Sequence, residues 1–290
     1  DVIDLAVDMN ASTLTTATGA TVAINADQTG TVTLTQASAT SATNSLNLNI
    51  DDSTAGITTT TTAGLVVSNT ATVALDLTDT LTATASNFGT AAVTVTGTGT
   101  AALTLAGATT AGSIDASAMT TVVNANLAGT TTLGNLTTGS AADVITTSTA
   151  ASTGGLTLST GAGADSLTFG AIAHALTDVT WDGGAGVDTL ALGTSAVIDA
   201  QTYDLTSVEV LTYTTAATVD ASFISGASYL ITSAGTGVLT VAAMDQATLD
   251  LSNLSFTNNT NTTSVSGAAI GAFNNLTITG TALVDAVVGG

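Results

Sequence analysis

Two short segments of the chain combine glycine and aspartate in an order that suits metal binding. Residues 159–167 read Ser-Thr-Gly-Ala-Gly-Ala-Asp-Ser-Leu, and residues 181–190 read Trp-Asp-Gly-Gly-Ala-Gly-Val-Asp-Thr-Leu. Glycine permits the positive φ angles that turn backbone carbonyls inward. The aspartate adds a carboxylate oxygen, the kind of hard ligand that Ca²⁺ prefers. Both segments therefore predict a calcium-binding turn that leads into a β-strand.

The second segment matches a nonapeptide pattern known from calcium-binding parallel β-rolls, Gly-Gly-x-Gly-x-Asp-x-U-x, in which U is a large apolar residue. In the first segment Thr160 stands where the pattern has its first glycine. Residues 139–145 form a weaker third copy that has lost its middle glycine. The predicted metal-site residues are Asp143, Gly161, Gly163, Asp165, Asp182, Gly183, Gly184, Gly186 and Asp188.

The spacing of the aspartates favours calcium over an ordinary glycine turn, the simpler interpretation of a single copy. Calcium takes about six to eight oxygen ligands, more than one turn can offer, so adjacent coils must share a site. Asp143, Asp165 and Asp188 follow one another at nearly equal intervals, and the interval is a plausible length for one coil. Asp182 adds a further carboxylate. We expect one to three Ca²⁺ sites. Glu209 is expected to face solvent on a strand, with metal binding as the less favoured alternative.

The composition excludes several functional classes. The 290 residues include 21 acidic side chains but no Lys, Arg, Pro or Cys, so the formal charge is -21. Binding to nucleic acid or to an anionic membrane surface requires cationic side chains. We therefore predict no nucleic acid partner and no membrane insertion. Without cysteine there are no disulfides, and divalent cations are the available substitute. The single histidine, His174, has no catalytic motif around it, so we predict no enzyme activity.

Short strands separated by small-residue turns dominate the chain. Residues 73–77, Val-Ala-Leu-Asp-Leu, alternate with the period of two that is typical of strands. Such strands suit a sandwich or a solenoid. A ten-residue register from Thr90 onward and the scarcity of hairpin turns favour the solenoid. Strands are predicted at residues 21–24, 31–35, 46–50, 65–68, 73–77, 81–85, 205–214, 218–223, 229–232, 238–241, 248–256, 264–266 and 276–279.

The predicted fold is an all-β, parallel β-solenoid or β-roll with little or no helix, except one short piece near residues 241–246. We expect one elongated region over residues 1–290, part of a longer chain. It comprises Thr-rich repeats at 1–138, a calcium block at 139–193 and further β repeats at 194–290. Trp181 is expected to cap the apolar column.

The two glycine–aspartate copies resemble those of RTX proteins, and the Thr/Ala/Gly-rich, cation-poor remainder resembles RTX-containing bacterial surface-layer proteins. That resemblance implies export by a type I system, folding on calcium outside the cell and an extracellular location at the cell surface. Its strong part covers residues 139–192 only.

The leading functional prediction is a structural protein that self-assembles into a calcium-stabilised surface layer or filament. Its partners would be copies of itself and cell-surface polysaccharide. One alternative is the stalk or binding segment of a secreted RTX adhesin. Another is an ice-binding β-solenoid, suggested by the pair Thr94 and Thr96.

Overall fold

A computed structural model gives the fold of the chain. It describes residues 2–38, 42–51, 59–107, 109–127, 132–147, 155–169, 179–192, 197–198, 203–214, 216–233, 239–242, 248–257, 263–266, 277–279 and 285–288.

The described residues form 32 strands and one short helix. The first sixteen strands are β1 (Val2–Leu5), β2 (Thr13–Thr16), β3 (Ala20–Ile24), β4 (Gln28–Gln36), β5 (Ser45–Ile50), β6 (Thr59–Ser68), β7 (Thr72–Leu77), β8 (Thr80–Ala83), β9 (Ser86–Asn87), β10 (Ala92–Gly97), β11 (Leu103–Leu105), β12 (Thr109–Asp115), β13 (Val123–Asn126), β14 (Leu133–Thr137), β15 (Val144–Thr147) and β16 (Leu156–Ser159). The remaining elements are β17 (Ala162–Gly163), β18 (Ser166–Phe169), β19 (Val179–Asp182), β20 (Ala185–Gly186), β21 (Thr189–Leu192), β22 (Val197–Ile198), β23 (Tyr203–Thr206), β24 (Val210–Tyr213), β25 (Ala217–Asp220), α1 (Ala221–Ile224), β26 (Leu230–Ser233), β27 (Leu239–Ala242), β28 (Thr248–Asp250), β29 (Ser255–Phe256), β30 (Thr263–Ser266), β31 (Thr277–Thr279) and β32 (Asp285–Val288).

Each strand pairs in parallel with strands one coil away, so the fold is a β-solenoid, as predicted. Val73 pairs with Val93, and Val93 pairs with Ile114, so one coil takes the chain from Val73 to Val93 and the next from Val93 to Ile114. The chain passes from one wall to the other and back within each coil. We call the two long walls sheet A (β1, β3, β5, β7, β10, β12, β14, β16, β19, β23) and sheet B (β2, β4, β6, β8, β9, β11, β13, β15, β18, β21, β24, β26, β29).

Sheet A contains no described strand after β23, and a further parallel wall begins in the same coil, because β22 lies between β21 of sheet B and β23 of sheet A. This wall contains β22, β25, β27, β30 and β32, all paired in parallel. Two small parallel pairs, β17 with β20 and β28 with β31, lie outside these walls. No helix among the described residues is long and apolar enough to cross a membrane.

The core is a set of apolar columns, because parallel register places equivalent residues of successive coils on top of one another. In sheet A one inward-facing column contains Leu46, Val73, Val93, Ile114, Leu136, Leu158, Trp181 and Leu205. In sheet B the facing column contains Leu105, Ala125, Ile145, Leu167, Leu190, Leu211 and Ile231. The expectation that Trp181 caps the core is wrong. Its side chain is fully buried inside the column, between Leu158 and Leu205.

Local backbone features explain where the observed elements differ from those predicted. The strand predicted over 205–214 divides at Ser207, whose φ of 55° is incompatible with extended backbone. The strand predicted over 218–223 stops at Asp220, whose side chain accepts a hydrogen bond from Ser222 N–H (2.8 Å) and caps α1. The helix predicted near 241–246 is not found at Val241, which lies in β27, and residues 243–247 lie outside the described part of the chain.

The fold predicts a large difference between inward and outward positions of one strand. Leu167→Ala removes a fully buried side chain from the sheet B column, so we expect it to lower the free energy of unfolding by about 2–5 kcal/mol. Thr168→Ala, at the next and outward-facing position, is the matched control and should change it by less than about 0.5 kcal/mol. Denaturant unfolding followed by circular dichroism measures both. Equal effects would contradict the inward orientation of Leu167.

Candidate metal centre

The three glycine–aspartate turns lie on top of one another in the middle of the solenoid. β17 and β20 pair so that Ala162 is opposite Ala185 and Gly163 is opposite Gly186. The N–H of Ala185 donates to the carbonyl of Gly161 at 2.8 Å. The N–H of Ala162 donates in the same way to the carbonyl of Gly139 at 3.0 Å. The weak third copy therefore joins the same stack.

The glycines predicted from the pattern are required by the close stacking of these turns. Gly184 has a φ of 87° and Gly186 a φ of 152°, values that other residues rarely adopt. A Cβ atom on Gly186 would lie only 1.5 Å from the carbonyl oxygen of Gly163 in the preceding coil. The backbone conformation and the lack of space therefore both exclude a side chain at these glycines.

The three predicted aspartates form a hydrogen-bonded ladder along the solenoid axis. Oδ1 of Asp165 accepts the N–H of Asp143, and Oδ1 of Asp188 accepts the N–H of Asp165, each at 2.7 Å. Oδ1 of Asp143 accepts the N–H of Val123, also at 2.7 Å. Each aspartate directly precedes a strand of sheet B, and these strands pair without a register shift. The spacing of the three aspartates along the sequence therefore does correspond to successive coils.

The second oxygen of each aspartate is buried without a partner. Asp143, Asp165 and Asp188 are 0%, 1% and 0% exposed, and none of their Oδ2 atoms accepts a hydrogen bond. Burial raises the pKa of all three carboxyl groups above the ordinary value for aspartic acid. The pKa of Asp188 is raised further by the negative charges of Asp165, Glu209 and Asp182.

No positively charged side chain among the described residues neutralises this row of carboxylates. The sequence has no Lys or Arg, and His174 lies outside the described residues. A buried charge without a counter-charge is strongly unfavourable. The ladder must therefore take up either protons or cations from the solvent.

The position that precedes each metal turn differs between the coils. Thr138 and Thr160 are buried there, whereas the next coil has Gly183. The Thr160 hydroxyl donates to the Gly183 carbonyl at 3.0 Å and accepts from Trp181 Nε1 at 3.2 Å. Thr160 therefore has a structural role where the pattern has glycine, because its hydroxyl forms hydrogen bonds to the next coil.

Asp182 lies outside the buried row. Its side chain is exposed, and its Oδ1 accepts the N–H of Gly184 at 3.1 Å within the same turn. Its charge acts on Asp188 through space, but its carboxylate does not extend the ladder.

Glu209 does extend the ladder, although the sequence interpretation favoured a solvent-facing strand position over metal binding. It is exposed, as predicted, but it precedes β24 rather than lying on a strand, and its Oε2 accepts the N–H of Asp188 at 2.9 Å. The available signal was positional. Glu209 follows Asp188 by nearly the same interval that separates the three aspartates, and like Asp188 it directly precedes a strand of sheet B.

The arrangement fits a hard cation held by few carboxylates. Among the described residues, no three His, Cys, Asp or Glu side chains gather into a group that would hold a metal ion by themselves. Calcium, however, accepts backbone carbonyls as well as carboxylates. The orphaned Oδ2 atoms and the carbonyl-lined glycine turns provide both ligand types.

In comparisons with protein-family models, with curated proteins and with solved structures, no match to this chain is found. The functional assignment therefore depends on the geometry of the ladder and of the walls around it.

The stacked turns predict that glycine substitutions differ sharply in effect. Gly186→Ala places a methyl group against the Gly163 carbonyl, so we expect it to destabilise the protein by about 3 kcal/mol or more. Gly89→Ala is the control, because Gly89 also has a positive φ but no atom within 4 Å of its Cβ position. It should cost only about 1–2 kcal/mol. Thermal or denaturant unfolding compares the two, and equal losses would mean that the turns are not closely stacked.

Proposed function

We propose that this chain is a structural, non-enzymatic protein that works outside the cell, where it self-assembles into a calcium-stabilised layer or filament at a bacterial surface. The observation that carries the proposal is the ladder of three buried carboxylates in a chain without Lys or Arg. Its partners are copies of itself, with cell-surface polysaccharide as a further one.

Calcium supplies the missing positive charge. Asp143, Asp165 and Asp188 would contribute their Oδ2 atoms, and the backbone carbonyls of the glycine turns would complete the ligand set. An ion that binds only the folded state at about 100 times its dissociation constant adds about 2.7 kcal/mol of stability per site. In a protein without disulfides, such a contribution makes the rigidity of the rod depend on external calcium.

The distribution of charge on the two walls supports self-association through sheet B. Exposed aspartates occupy outward positions on sheet A, namely Asp4, Asp76, Asp115, Asp182 and Asp204. On sheet B, no outward-facing residue of the described strands is charged, and a row of small residues crosses its strands: Thr146, Thr168, Ala191, Thr212 and Thr232. Because the chain has no Lys or Arg, two copies repel each other wherever the exposed aspartates of one face those of the other. The contact between copies therefore lies on the uncharged wall, sheet B.

A stalk segment of a secreted adhesin is the second candidate, since a stiff calcium-dependent rod would serve it equally well. The ice-binding alternative receives no support at Thr94 and Thr96. Their partners in the preceding coil are Ala74 and Asp76, and Asp115 lies beside Thr94 in the next coil, so the threonine pair is not repeated.

The calcium dependence predicts a specific response to chelation. Excess EDTA should lower the melting temperature and disrupt assemblies, and added Ca²⁺ should restore both. The double variant Asp165→Asn, Asp188→Asn keeps amide oxygens for the ladder but loses two charges, so its melting should respond much less to EDTA. Asp76→Asn, on the outer face of sheet A, is the control and should respond like the unmodified chain. If EDTA changes neither melting nor assembly of the unmodified chain, calcium has no structural role.

The assembly surface is tested by adding one charge to either wall. Thr168→Asp on sheet B should abolish or strongly reduce assembly in the presence of calcium, because it places like charges in the contact. Thr157→Asp, exposed on sheet A, adds the same charge and should assemble normally. Sedimentation velocity and negative-stain electron microscopy report the result. Assembly by both variants would count against sheet B as the contact, and a monomeric unmodified chain would favour the adhesin stalk.

A further inference from the structure

Apolar side chains are exposed on the solvent side of the buried ladder. Val187 directly precedes Asp188, and Val144 directly follows Asp143. Successive side chains of extended backbone point to opposite sides, so burial of the aspartates turns both valines toward the solvent. Val187 is 58% exposed and Val144 is 42% exposed. The ladder coils therefore present apolar surface to the solvent directly outside a row of buried carboxylates.

Two alanines extend this apolar surface along the same coils. Ala142 and Ala164 occupy the position before the aspartate in the two coils that precede Val187, and both are exposed. We call the surface formed by Ala142, Val144, Ala164 and Val187 the ladder patch. Gly, Asn, Asp and Ser dominate turns because their backbone freedom or side-chain hydrogen bonds suit them. Turn chemistry therefore does not account for an exposed valine at position 187.

The ladder patch continues onto the outer face of sheet B. Val144 is the first residue of β15 and lines an open groove of about 250 Å³ on that face. No charged residue lines the groove, and its outward-facing residues besides Val144 are Thr104, Ala106, Asn124 and Thr146. The exposed acids Asp182 and Glu209 act on Asp188 through space. They place charge at the C-terminal end of the patch, as the polar rim of an interface does.

We infer that the ladder patch is the centre of the contact between two copies of this chain, and that formation of this contact is coupled to cation binding by the ladder. A second copy fits because its own patch and its own sheet B are also uncharged. The contact then buries apolar surface without bringing the aspartates of the two sheets A together. A two-fold contact uses the same patch on both copies, so it requires no separate complementary surface. The inference rests on the proposed self-assembly and specifies its surface.

The coupling follows from the position of the carboxylates beneath the patch. Asp143, Asp165 and Asp188 each have a buried Oδ2 without a hydrogen-bond partner. A second copy replaces the water outside them with protein, which makes their uncompensated charge still less favourable. A cation bound to the ladder removes this cost. Linkage is reciprocal, so cations should strengthen the contact and the contact should strengthen cation binding.

Valine substitutions test the patch without changing any charge. In saturating Ca²⁺, the double variant Val144→Thr, Val187→Ser should raise the protein concentration needed for half-maximal association by about tenfold or more, because it removes central apolar contacts. Val7→Ser is the matched control, since Val7 is 67% exposed in the first coil and should not affect association. Sedimentation velocity over a dilution series measures both. Because the substituted side chains are exposed, the dilute variants should keep the circular dichroism spectrum and melting temperature of the unmodified chain.

Calcium titrations at low and high protein concentration test the coupling. The unmodified chain should bind Ca²⁺ about fivefold more tightly, or better, where it associates, whereas the double variant should bind it equally at both concentrations. If the unmodified chain stays monomeric in Ca²⁺, the proposed self-assembly fails together with this inference. If the unmodified chain assembles and the double variant assembles at the same concentration, or Val7→Ser weakens assembly equally, only the ladder patch is overturned. An affinity for Ca²⁺ that does not change with protein concentration overturns the coupling.

Discussion

The parallel register of this solenoid stacks residues of like charge on one another. Each inward position is stacked on its equivalent in the next coil at the spacing of neighbouring strands, about 4.8 Å. One aspartate per coil therefore becomes a column of carboxylates, and each ionised pair repels by roughly 3 kcal/mol at an effective dielectric constant of about 20. The chain has no Lys or Arg to offset this repulsion. The folded middle of the rod can persist only with charge taken from outside, which links its stability to the ionic environment.

The same register makes the wall positions insensitive to changes in the turns. Most coils are similar in length, yet the coil that runs from Val32 of β4 to its partner Leu65 of β6 is much longer, and the apolar residues of both strands still face inward. Part of the additional length lies within β6 itself, whose residues 59–62 pair with β8 while residues 64–68 pair with β4. This tolerance explains the irregular ten-residue rhythm of the sequence. Two ten-residue periods make up one short coil. A longer coil therefore displaces the residues that follow it from the ten-residue register.

Features that depend on one coil could be predicted from the sequence, and features that depend on its neighbours could not. The period-two alternation of Val73, Leu75 and Leu77 indicated a strand because it reflects the strand alone. The ladder positions of Asp165 and Asp188 followed from their spacing. The burial of Trp181 and the hydrogen bond that the N–H of Asp188 donates to Glu209 depend on which residues the adjacent coils present. A search for glycine–aspartate motifs cannot find Glu209, because its carboxylate is positioned by the preceding coil rather than by a turn of its own.

The ladder has a definite beginning and end, so its demand for cations is local. Before Asp143 the equivalent position is occupied by the buried Val123, and after Glu209 by Tyr229, whose ring stacks on Phe223 with centroids 5.6 Å apart. Beyond these limits the coils are held by apolar columns that carry no charge. Because each coil contacts mainly its neighbours, the stability of a solenoid is close to a sum over adjacent coils. Under the proposed calcium dependence, loss of cations should therefore weaken the coils from Asp143 to Glu209 and leave the stacks on either side folded. Calcium would then control the continuity of the rod rather than the folding of its parts.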